Sequence, residues 1–445
     1  MKDGRSQTEP APVPARATQA GELRARWAWV EESVWTERML TALEEGVKGG
    51  VWFSLIDKVY ALPNLRAAFA RVKANRGAAG VDHQTVAKYE RHLETHLNQL
   101  AHALKDGSYR PQAVRRVWIP KPGKTEQRPL GIPTVRDRVV QTALRQVLEP
   151  IFERDFAEHS YGFRPQRGCR EALRRVDALL RQGYTWVVDA DLKGYFDSIP
   201  HARLLERVRT KMADGRVLTL LQAFLDQQVL DGLETWTPEA GTPQGAVISP
   251  LLSNLYLDPL DHLMDQRGYA MVRYADDFVV LCRTRDEAER ALETVRHWTA
   301  EAGLVLHPDK TRLVEATQPG GFDFLGYHFE AGRHWPGAKS IQKVRDRLRA
   351  CTPRLSGQSL EALIQRLNPI LRGWYAYFQH SPRYALLRMD TFVRQRLRSI
   401  LRKHAKRHGI ASGRENRDCP NSLFAAHGLF SLVAAHQAGC QSLRR

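Results

Sequence analysis

The sequence predicts an α+β fold: a central sheet of short strands that carries helices, with helical regions before and after it. The segment "YTWVVDADLKGYF" (184–196) begins as a buried strand, because Trp and Val are β-formers. The stretches "AMVRY" and "FVVLC" flank the adjacent Asp276 and Asp277 as two short strands joined by a turn. Apolar residues recur at helical spacing in the earlier "NLRAAFARVKAN", and from about residue 341 onward the pattern is helical and basic.

The remaining elements follow in chain order. Helices are predicted over 27–110, over 136–182 with a break at "SYGFRPQRG", over 202–231 and over 286–302. The segment "VRRVWIPKPGKTEQRPLGIPT" (114–134) is typical of two strands around a basic loop rich in Pro and Gly. "LVLHPDKTRLV" and "FDFLGYHF" are predicted to add further strands before the basic helical region.

The charge of the chain is concentrated at one end. The 445 residues carry a net charge of +18, and residues 331–445 alone hold 22 Lys and Arg against 5 Asp and Glu. Such asymmetry favours a polyanionic partner over a merely solvated helix face. No apolar run reaches the roughly 18 residues of a membrane span, so no membrane role is predicted. None of the five cysteines forms a CxxC pair, which is typical of reduced thiols in a cytosolic protein.

Acidic residues mark the strand-rich middle of the chain. Side chains alternate along a strand, so Asp189 and Asp191 point to the same face. Asp276 and Asp277 follow at the hairpin. Carboxylates of this kind suit Mg²⁺, and two such ions can promote phosphoryl transfer. An isolated Asp-Asp pair is more often a turn that caps a hairpin, so the prediction depends on the residues around it.

Two loops accompany these carboxylates. Lys121, Lys124 and Arg128 lie in the basic loop and can meet a triphosphate, although a solvated basic loop has the same composition. Gly241 and Gly245 in "GTPQG" permit close approach of the backbone to a nucleotide, although an ordinary loop before a helix has them too.

Taken together and in order, these motifs resemble those of the group II intron reverse transcriptase/maturase family. The resemblance covers roughly residues 54–440 and includes "IPKPGKTEQRPLGIPTVRDRVVQTAL", "SYGFRPQRG", "DADLKGYFD", "GTPQGAVISPLLSNLYLDPLD", "RYADD", "FLGYHF" and "LNPILRGWYAYF". It implies a right-hand polymerase, with fingers and a palm that holds an antiparallel sheet, followed by an all-α basic thumb/maturase domain. It also implies an RNA-directed DNA polymerase that binds and helps to splice its intron RNA and supports retromobility.

The resemblance assigns catalytic roles to three aspartates. Asp191 matches the first palm aspartate, and Asp276 and Asp277 match the pair in the family's "YADD" hairpin. Two Mg²⁺ ions, for which Mn²⁺ can substitute, would be held by these carboxylates and the backbone carbonyl of Leu192. The primer 3′-hydroxyl would attack a dNTP and release pyrophosphate. Asp189 and Asp197 do not match metal ligands and are interpreted as structural.

Further positions match residues that contact the nucleotide in the family. Phe196 matches the aromatic gate against a ribose 2′-hydroxyl, although packing beside the strand would also explain it. Lys310 matches a lysine that protonates pyrophosphate, although a surface lysine is an alternative. The remaining positions are expected to bind the dNTP: Arg115, Lys121, Arg128 and Gln244.

The basic region has an expected role in nucleic-acid binding. The aromatic residues of "GWYAYF" are expected in the core, whereas the following basic helix is expected to face phosphates. Its candidate residues are Arg394, Arg396, Arg398, Arg402, Lys403, Lys406 and Arg407. The predicted domains are a disordered tail (1–25), fingers with a helical extension (26–183), palm (184–335), thumb/maturase domain (336–410) and a short DNA-binding-like segment (411–445). The paired CxxC motifs of an endonuclease domain are missing, so no target-cleaving nuclease is expected.

The expected partners are group II intron RNA, an RNA template with a DNA primer, dNTPs and a DNA target. A cytoplasmic, nucleoid-associated protein of a bacterium is expected. Two alternatives stay open: a host-domesticated reverse transcriptase in defence or repair, and an RNA-binding splicing maturase with a vestigial polymerase. The intact Asp191, Asp276 and Asp277 argue against the second alternative.

Overall fold

The computed structural model of the chain describes residues 23–120, 127–353, 357–405 and 417–442. Among the predicted site residues, Lys121, Lys406 and Arg407 lie outside these ranges. Most of the predicted tail lies outside them as well. Its last residues, from position 23, are helical, so the predicted disorder is wrong there.

The named elements fall into three regions along the chain: two that combine helices with strands, and a third in which the named elements are all helices. The first contains α1 (Glu37–Glu45), a 3-10 turn (Lys48–Gly50), α2 (Ile56–Tyr60), α3 (Leu62–Ala74), α4 (Val86–Glu90), α5 (Leu93–Asp106), β1 (Val114–Pro120), β2 (Gln127–Ile132), α6 (Val135–Glu153) and α7 (Cys169–Arg181). The second contains β3 (Trp186–Asp191), α8 (Tyr195–Ser198), α9 (His201–Arg209), α10 (Gly215–Leu225), β4 (Val229–Asp231), β5 (Glu234–Trp236), α11 (Ser249–Gln266), β6 (Ala270–Tyr274), β7 (Asp277–Cys282), α12 (Arg285–Glu301), β8 (Arg312–Glu315), β9 (Phe322–Phe324), β10 (Tyr327–Glu330) and β11 (Arg333–Pro336). The third contains α13 (Ala338–Cys351), α14 (Leu360–Phe378), α15 (Arg383–His404), α16 (Asn421–Ala426) and α17 (Leu432–Ser442).

The central sheet has the strand order β6-β7-β3-β8, and its neighbouring strands are antiparallel. This confirms the predicted antiparallel palm sheet. Alternation along the strands gives it two apolar faces. Val188 and Val280 belong to a large core with the helices α9, α11 and α12. Val187 and Val279 belong to a second core with α7 and the strands β9 and β10. Both faces are therefore covered, and the ends of the strands are left for chemistry.

A second sheet, of order β2-β1-β4-β5, joins two strands of the predicted fingers to two short strands from within the predicted palm range. The fingers also contain the almost wholly buried helix α6. The strands β1 and β2 agree with the prediction for 114–134, whose predicted loop lies at 121–126, outside the described residues. The helix predicted over 202–231 is wrong at its end. Val229 pairs in parallel with Val114 of β1, and Gly232, with a φ of 62°, turns the chain into β5. The available edge of β1 therefore overrides the local helical pattern.

The thumb consists of helices that share a third core. Its buried residues come from α13, α14 and α15 together with Phe424 of α16 and Leu432 of α17. The carboxylate of Asp390 accepts a hydrogen bond from the Leu432 amide at 3.0 Å and one from the Ser431 hydroxyl at 2.7 Å. The described residues of the predicted segment 411–445 thus pack on the thumb. No helix in the described ranges is both long and apolar enough to cross a membrane.

Candidate active site

The β6–β7 hairpin brings the predicted catalytic carboxylates to one end of the central sheet. Tyr274 pairs with Asp277 across a two-residue turn, in which Ala275 has a φ of 59°. On the other side of β7, Asp277 is the cross-strand partner of Asp191, the last residue of β3. Cβ atoms of directly paired residues lie about 4.5–5.5 Å apart. The register of the sheet therefore places Asp191, Asp276 and Asp277 together, as the sequence predicted.

A buried arginine, which the sequence reasoning missed, holds this hairpin. Arg273 is 0% exposed. Its Nε donates to Asp261 Oδ1 of α11 at 2.8 Å, and its Nη1 donates to Asn254 Oδ1 at 3.0 Å and to the Ala275 carbonyl at 2.9 Å. Charge-assisted bonds in this forked geometry are the strong ones. The turn that carries Asp276 is thereby fixed to helix α11.

The loop "SYGFRPQRG" presses against the same turn. The Tyr161 amide donates to the Arg273 carbonyl at 2.8 Å, and Asn254 Nδ2 donates to the Gly162 carbonyl at 2.8 Å. A Cβ at Gly162 would lie 2.2 Å from the Ala275 nitrogen. Only glycine fits this approach, which explains the place of Gly162 in the motif.

The carboxylates destabilise one another in their charged forms. Burial, together with the nearby negative charges of Asp189, Asp276 and Asp191, raises the pKa of Asp277 to about 7. Burial also raises the pKa of Asp276, and Asp191 adds to that effect. The same direction holds for the pKa of Asp189, mainly through burial and against the lowering effect of Arg312. The site therefore favours a bound positive charge.

Two basic side chains already supply such charge. The Lys310 ammonium forms an ion pair with Asp191, and Arg312 Nε lies 3.1 Å from Asp189 Oδ2. Lys310, which was expected near pyrophosphate, thus contacts the first palm aspartate. Leu192 is buried, and the adjacent Lys193 amide donates to the Val305 carbonyl at 2.8 Å.

The donor set fits hard divalent cations in its chemistry, since it consists of carboxylate oxygens whose charged forms repel one another. Within the described ranges, no three His, Cys, Asp or Glu side chains converge closely enough to hold an ion as they stand. The Lys310 ammonium holds Asp191 in its own ion pair, so binding of a metal by Asp191 requires that contact to open.

Phe196 lies on the short helix α8, which follows Asp191 along the chain. Gly194, with a φ of 60°, starts the helix, and the Tyr195 hydroxyl donates to the Ser253 carbonyl at 2.6 Å. The Phe196 ring is half-buried and contacts the exposed Phe163 ring, with 6.4 Å between the centroids. Packing therefore fixes one side of the Phe196 ring and leaves the rest of the ring exposed.

Gln244 links the loop "GTPQG" to the fingers. Arg128 Nε donates to Gln244 Oε1 at 2.7 Å, and the Gly131 amide donates to the Gln244 carbonyl at 2.6 Å. A Cβ at Gly245 would lie 2.5 Å from the Gly131 carbonyl oxygen, so the close approach here is between two backbones. A cavity of about 270 Å³ lies between this loop and the fingers sheet, and Gln244 lines it.

The two arginines at the start of β1 point to different places. Arg115 Nη2 donates to the Ala79 carbonyl at 2.7 Å, and its buried Nε has no hydrogen-bond partner in the described part of the chain. Arg116, which the sequence reasoning missed, lines the cavity and lies over the Trp236 ring at 4.7 Å. The alternation of β1 could have identified Arg116, because neighbouring residues of a strand face opposite sides.

Comparison with known proteins agrees with this geometry. The family model "Reverse transcriptase (RNA-dependent DNA polymerase)" matches residues 119–329, and the model "Group II intron, maturase-specific domain" matches residues 341–418. The chain belongs to the group II intron reverse transcriptase/maturase family. It is accordingly an RNA-directed DNA polymerase joined to a maturase domain, as the sequence predicted.

Proteins from several organisms are similar in sequence or structure to parts of this chain. It is 34% identical over 346 residues to the protein YkfC of Escherichia coli (strain K12), which covers 68% of this chain and 85% of YkfC. It is 38% identical over 201 residues to the group II intron-encoded protein LtrA of Lactococcus lactis subsp. cremoris, which covers 45% of this chain and 33% of LtrA. The telomerase structure from Candida albicans aligns with a TM-score of 0.42 and 12% identity over 71% of this chain and 64% of that chain, a similarity that carries no argument about function.

In this chain, several residues of α15 that were predicted to bind nucleic acid instead contact other residues of the thumb. Arg394 Nη2 lies 3.5 Å from Asp390 Oδ2, and Arg396 Nε donates to Thr352 Oγ1 at 2.8 Å. Arg398 Nε donates to the Cys419 carbonyl at 2.9 Å. Arg402 is half-buried and Lys403 is exposed. Contact of this helix with phosphates stays a prediction, and three of its arginines already stabilise the thumb.

Replacing Arg273 with Met should destabilise the palm. The change leaves Asp261, which is 1% exposed, as an uncompensated buried charge, and this costs about 3–5 kcal/mol. Thermal and urea unfolding followed by circular dichroism measure the effect. In Asp261→Leu/Arg273→Met most of the loss should disappear, because an apolar pair replaces the ion pair. The exposed Arg285–Glu289 pair provides the control: Arg285→Met should cost less than about 1 kcal/mol. Equal stability of Arg273→Met and the wild type would contradict the assignment.

Asp277→Asn should stabilise the metal-free protein at neutral pH. The folded-state pKa is raised to about 7, so the folded state holds this proton more tightly than the unfolded state. The contribution of Asp277 to wild-type stability should fall as pH rises from about 4 to 7, and the variant should lack this loss, a gain of about 4 kcal/mol at pH 8. Melting curves in EDTA between pH 5 and 8 test this. Glu293→Gln, at a side chain that is 74% exposed, is the control and should keep the wild-type profile. A profile of Asp277→Asn parallel to that of the wild type would refute the prediction.

Proposed function

We propose that the chain extends a nucleic-acid primer with dNTPs by nucleotidyl transfer at Asp191, Asp276 and Asp277. The observation that carries this proposal is the pairing of Asp191 with Asp277 at the turn that presents Asp276. The raised pKa of Asp277 supports it, because a carboxylate that is unstable when charged gains from a bound cation. In this role the three carboxylates, with the Leu192 carbonyl, would hold two Mg²⁺ ions, for which Mn²⁺ could substitute.

Each group has a separate task in the proposed reaction. The bound ions supply charge neutralisation at the attacking primer hydroxyl and at the leaving pyrophosphate. The Lys310 ammonium would be available to donate a proton to pyrophosphate once its ion pair with Asp191 opens. No covalent enzyme intermediate is required, so the protein acts by positioning and by electrostatic stabilisation.

The nucleotide is positioned between the fingers and the palm. Arg128 is held by Gln244, which joins the strand β2 to the loop "GTPQG". In this proposal that loop would lie against the nascent base pair. Arg115, whose Nε has no hydrogen-bond partner among the described residues, and Lys121 complete the proposed set of cations for the triphosphate. The exposed part of the Phe196 ring is proposed to clash with a ribose 2′-hydroxyl, which selects dNTPs over rNTPs.

The template and its wider biology follow from the family. We infer that the maturase domain binds a group II intron RNA, and that the same protein copies RNA from a DNA primer during intron mobility into a DNA target. The excess of basic residues after position 330 supports binding of a polyanion. Localisation at the bacterial nucleoid is part of this proposal.

Asp276→Asn should abolish primer extension on an RNA template. Loss of a ligand to the ions removes several kcal/mol of charge stabilisation, so the rate should fall about a thousandfold or more. The measurement is single-turnover incorporation of one dNTP with Mg²⁺. Asp265→Asn, an exposed carboxylate on α11, controls for expression and folding and should keep the wild-type rate. Rapid synthesis by Asp276→Asn would exclude the metal assignment.

Phe196→Ala should weaken sugar discrimination. Removal of the ring opens space for the 2′-hydroxyl, and loss of a steric clash is worth about 1–3 kcal/mol, or roughly tenfold to a hundredfold in the ratio of dNTP to rNTP incorporation. The ratio of kcat/KM for dCTP to kcat/KM for rCTP measures this discrimination. Phe53→Ala, at a ring that is 66% exposed, should leave it unchanged. An unchanged ratio in Phe196→Ala would assign Phe196 to packing alone.

A further inference from the structure

A second, larger cavity lies where the palm meets the thumb. It measures about 590 Å³, within the range of about 300–1,000 Å³ that is typical of ligand pockets. Helix α7, the strands β10 and β11, the end of α14 and helix α17 form its walls. None of the predicted site residues lines it. Its lining instead combines cations with aromatic rings: Arg170, Arg174, Arg181, Tyr375, Tyr377 and His380.

The arginines of this cavity carry positive charge that the chain only partly neutralises. Arg174 is 69% exposed, and its nearest carboxylate, Glu171, lies 3.8 Å away, beyond hydrogen-bonding distance. Arg170 Nη2 donates to the Ala376 carbonyl at 2.7 Å, a bond that fixes the guanidinium without cancelling its charge. The acidic residue of the lining, Asp177, is shared by Arg181 at 2.7 Å and His334 at 3.5 Å. The cavity is therefore complementary to an anion.

The electrostatic effect of these groups reaches His380. Burial lowers the pKa of His380, and the positive charges of Arg174 and Arg170, together with His334 and His436, lower it further. At neutral pH the partly exposed His380 imidazole is consequently a neutral, planar ring near two cations. A planar neutral ring next to guanidinium groups suits a base better than a second phosphate.

The tyrosines are held rigidly by their hydroxyls. The Tyr377 hydroxyl donates to the Leu325 carbonyl at 2.7 Å, and the Tyr327 hydroxyl donates to the Tyr377 carbonyl at 2.9 Å. The Tyr377 ring is half-buried and packs against the Phe378 ring, with 4.8 Å between the centroids. A ring that is anchored at its polar end can accept a stacked base with little loss of conformational entropy.

We propose that this cavity binds one nucleotide unit, with its phosphate against Arg170 and Arg174 and its base against Tyr377 and His380. Arginine forks match phosphate oxygens, and unstacked bases lie on aromatic rings in single-strand recognition. The same chemistry is offered by a nucleotide within a single strand and by a free nucleoside phosphate. The site needs neither metal nor dNTP, so it does not depend on the proposed polymerase chemistry.

The test compares Arg174→Gln with a closely matched control. Arg296 on α12 also faces a carboxylate three residues earlier, Glu293 at 3.7 Å, and is 57% exposed, but it does not line the cavity. The full-length variants are titrated with a fluorescein-labelled single-stranded RNA 12-mer in EDTA at several salt concentrations. In the second arm, ATP binding in EDTA is measured by isothermal titration calorimetry. A 12-mer that carries 4-thiouridine is cross-linked to each protein, and the cross-linked peptides are identified by mass spectrometry.

The expected result for the strand is an affinity about fivefold to tenfold weaker in Arg174→Gln, with the slope of log K against log salt reduced by about 0.7. Cross-links should map to residues 375–380 in the wild type, and Arg296→Gln should match the wild type within about twofold. Loss of ATP binding alone in Arg174→Gln would also support the site and identify its ligand as a free nucleotide. If Arg174→Gln equals Arg296→Gln in both arms and no cross-link falls in 375–380, the proposal is overturned. Because no arm requires DNA synthesis, an inactive polymerase would refute the proposed function without affecting this result.

Discussion

The buried contacts of Arg273 are the constraint on which the catalytic end of the molecule depends. One guanidinium binds the carboxylate of Asp261, the amide of Asn254 and the carbonyl of Ala275, so helix α11 and the hairpin turn cannot move independently. The backbone of the same arginine holds the loop that contains Gly162. Three segments distant in sequence thus meet at one residue, through its side chain and its backbone. Burial of an ion pair adds little net stability by itself, but here it fixes a turn whose geometry decides where Asp276 and Asp277 lie.

This rigidity explains how the site can keep carboxylates that repel one another. A flexible hairpin would separate Asp191 from Asp277 and relieve the repulsion, whereas the cross-strand register and the Arg273 anchor prevent that movement. The raised pKa of Asp277 reflects its burial and the repulsion that remains between the carboxylates. Lys310 and Arg312 reduce this repulsion without removing it. The arrangement is typical of functional sites, where stability is given up locally for a geometry that chemistry requires.

The sequence was sufficient for the features that depend on local patterns. The β-forming residues on both sides of Asp276 and Asp277 predicted the hairpin, because such residues around a short polar turn leave few other structures. Arg273 and Asp261 were missed because a buried ion pair between a strand and a helix has no local signature. Arg394, Arg396 and Arg398 show the reverse problem: a count of charges cannot distinguish an arginine that binds phosphate from one that binds a carboxylate or a carbonyl within the thumb. The strand at Val229 was missed because its partner, β1, lies more than a hundred residues earlier.

The junction of palm and thumb follows from the same principle of distant segments meeting at a few side chains. Phe378, at the end of the thumb helix α14, is buried in the second core beside Tyr327 of β10, while Trp374 of the same helix contacts both this core and that of the thumb. Arg170 of α7 bonds to the backbone of α14 at Ala376. The regions matched by the polymerase and maturase models therefore share a packed interface rather than a flexible linker. A strand that bound at this junction would contact both regions at once, so its binding would depend on their relative orientation, and the rigidity of the interface would fix the path between the thumb and the palm.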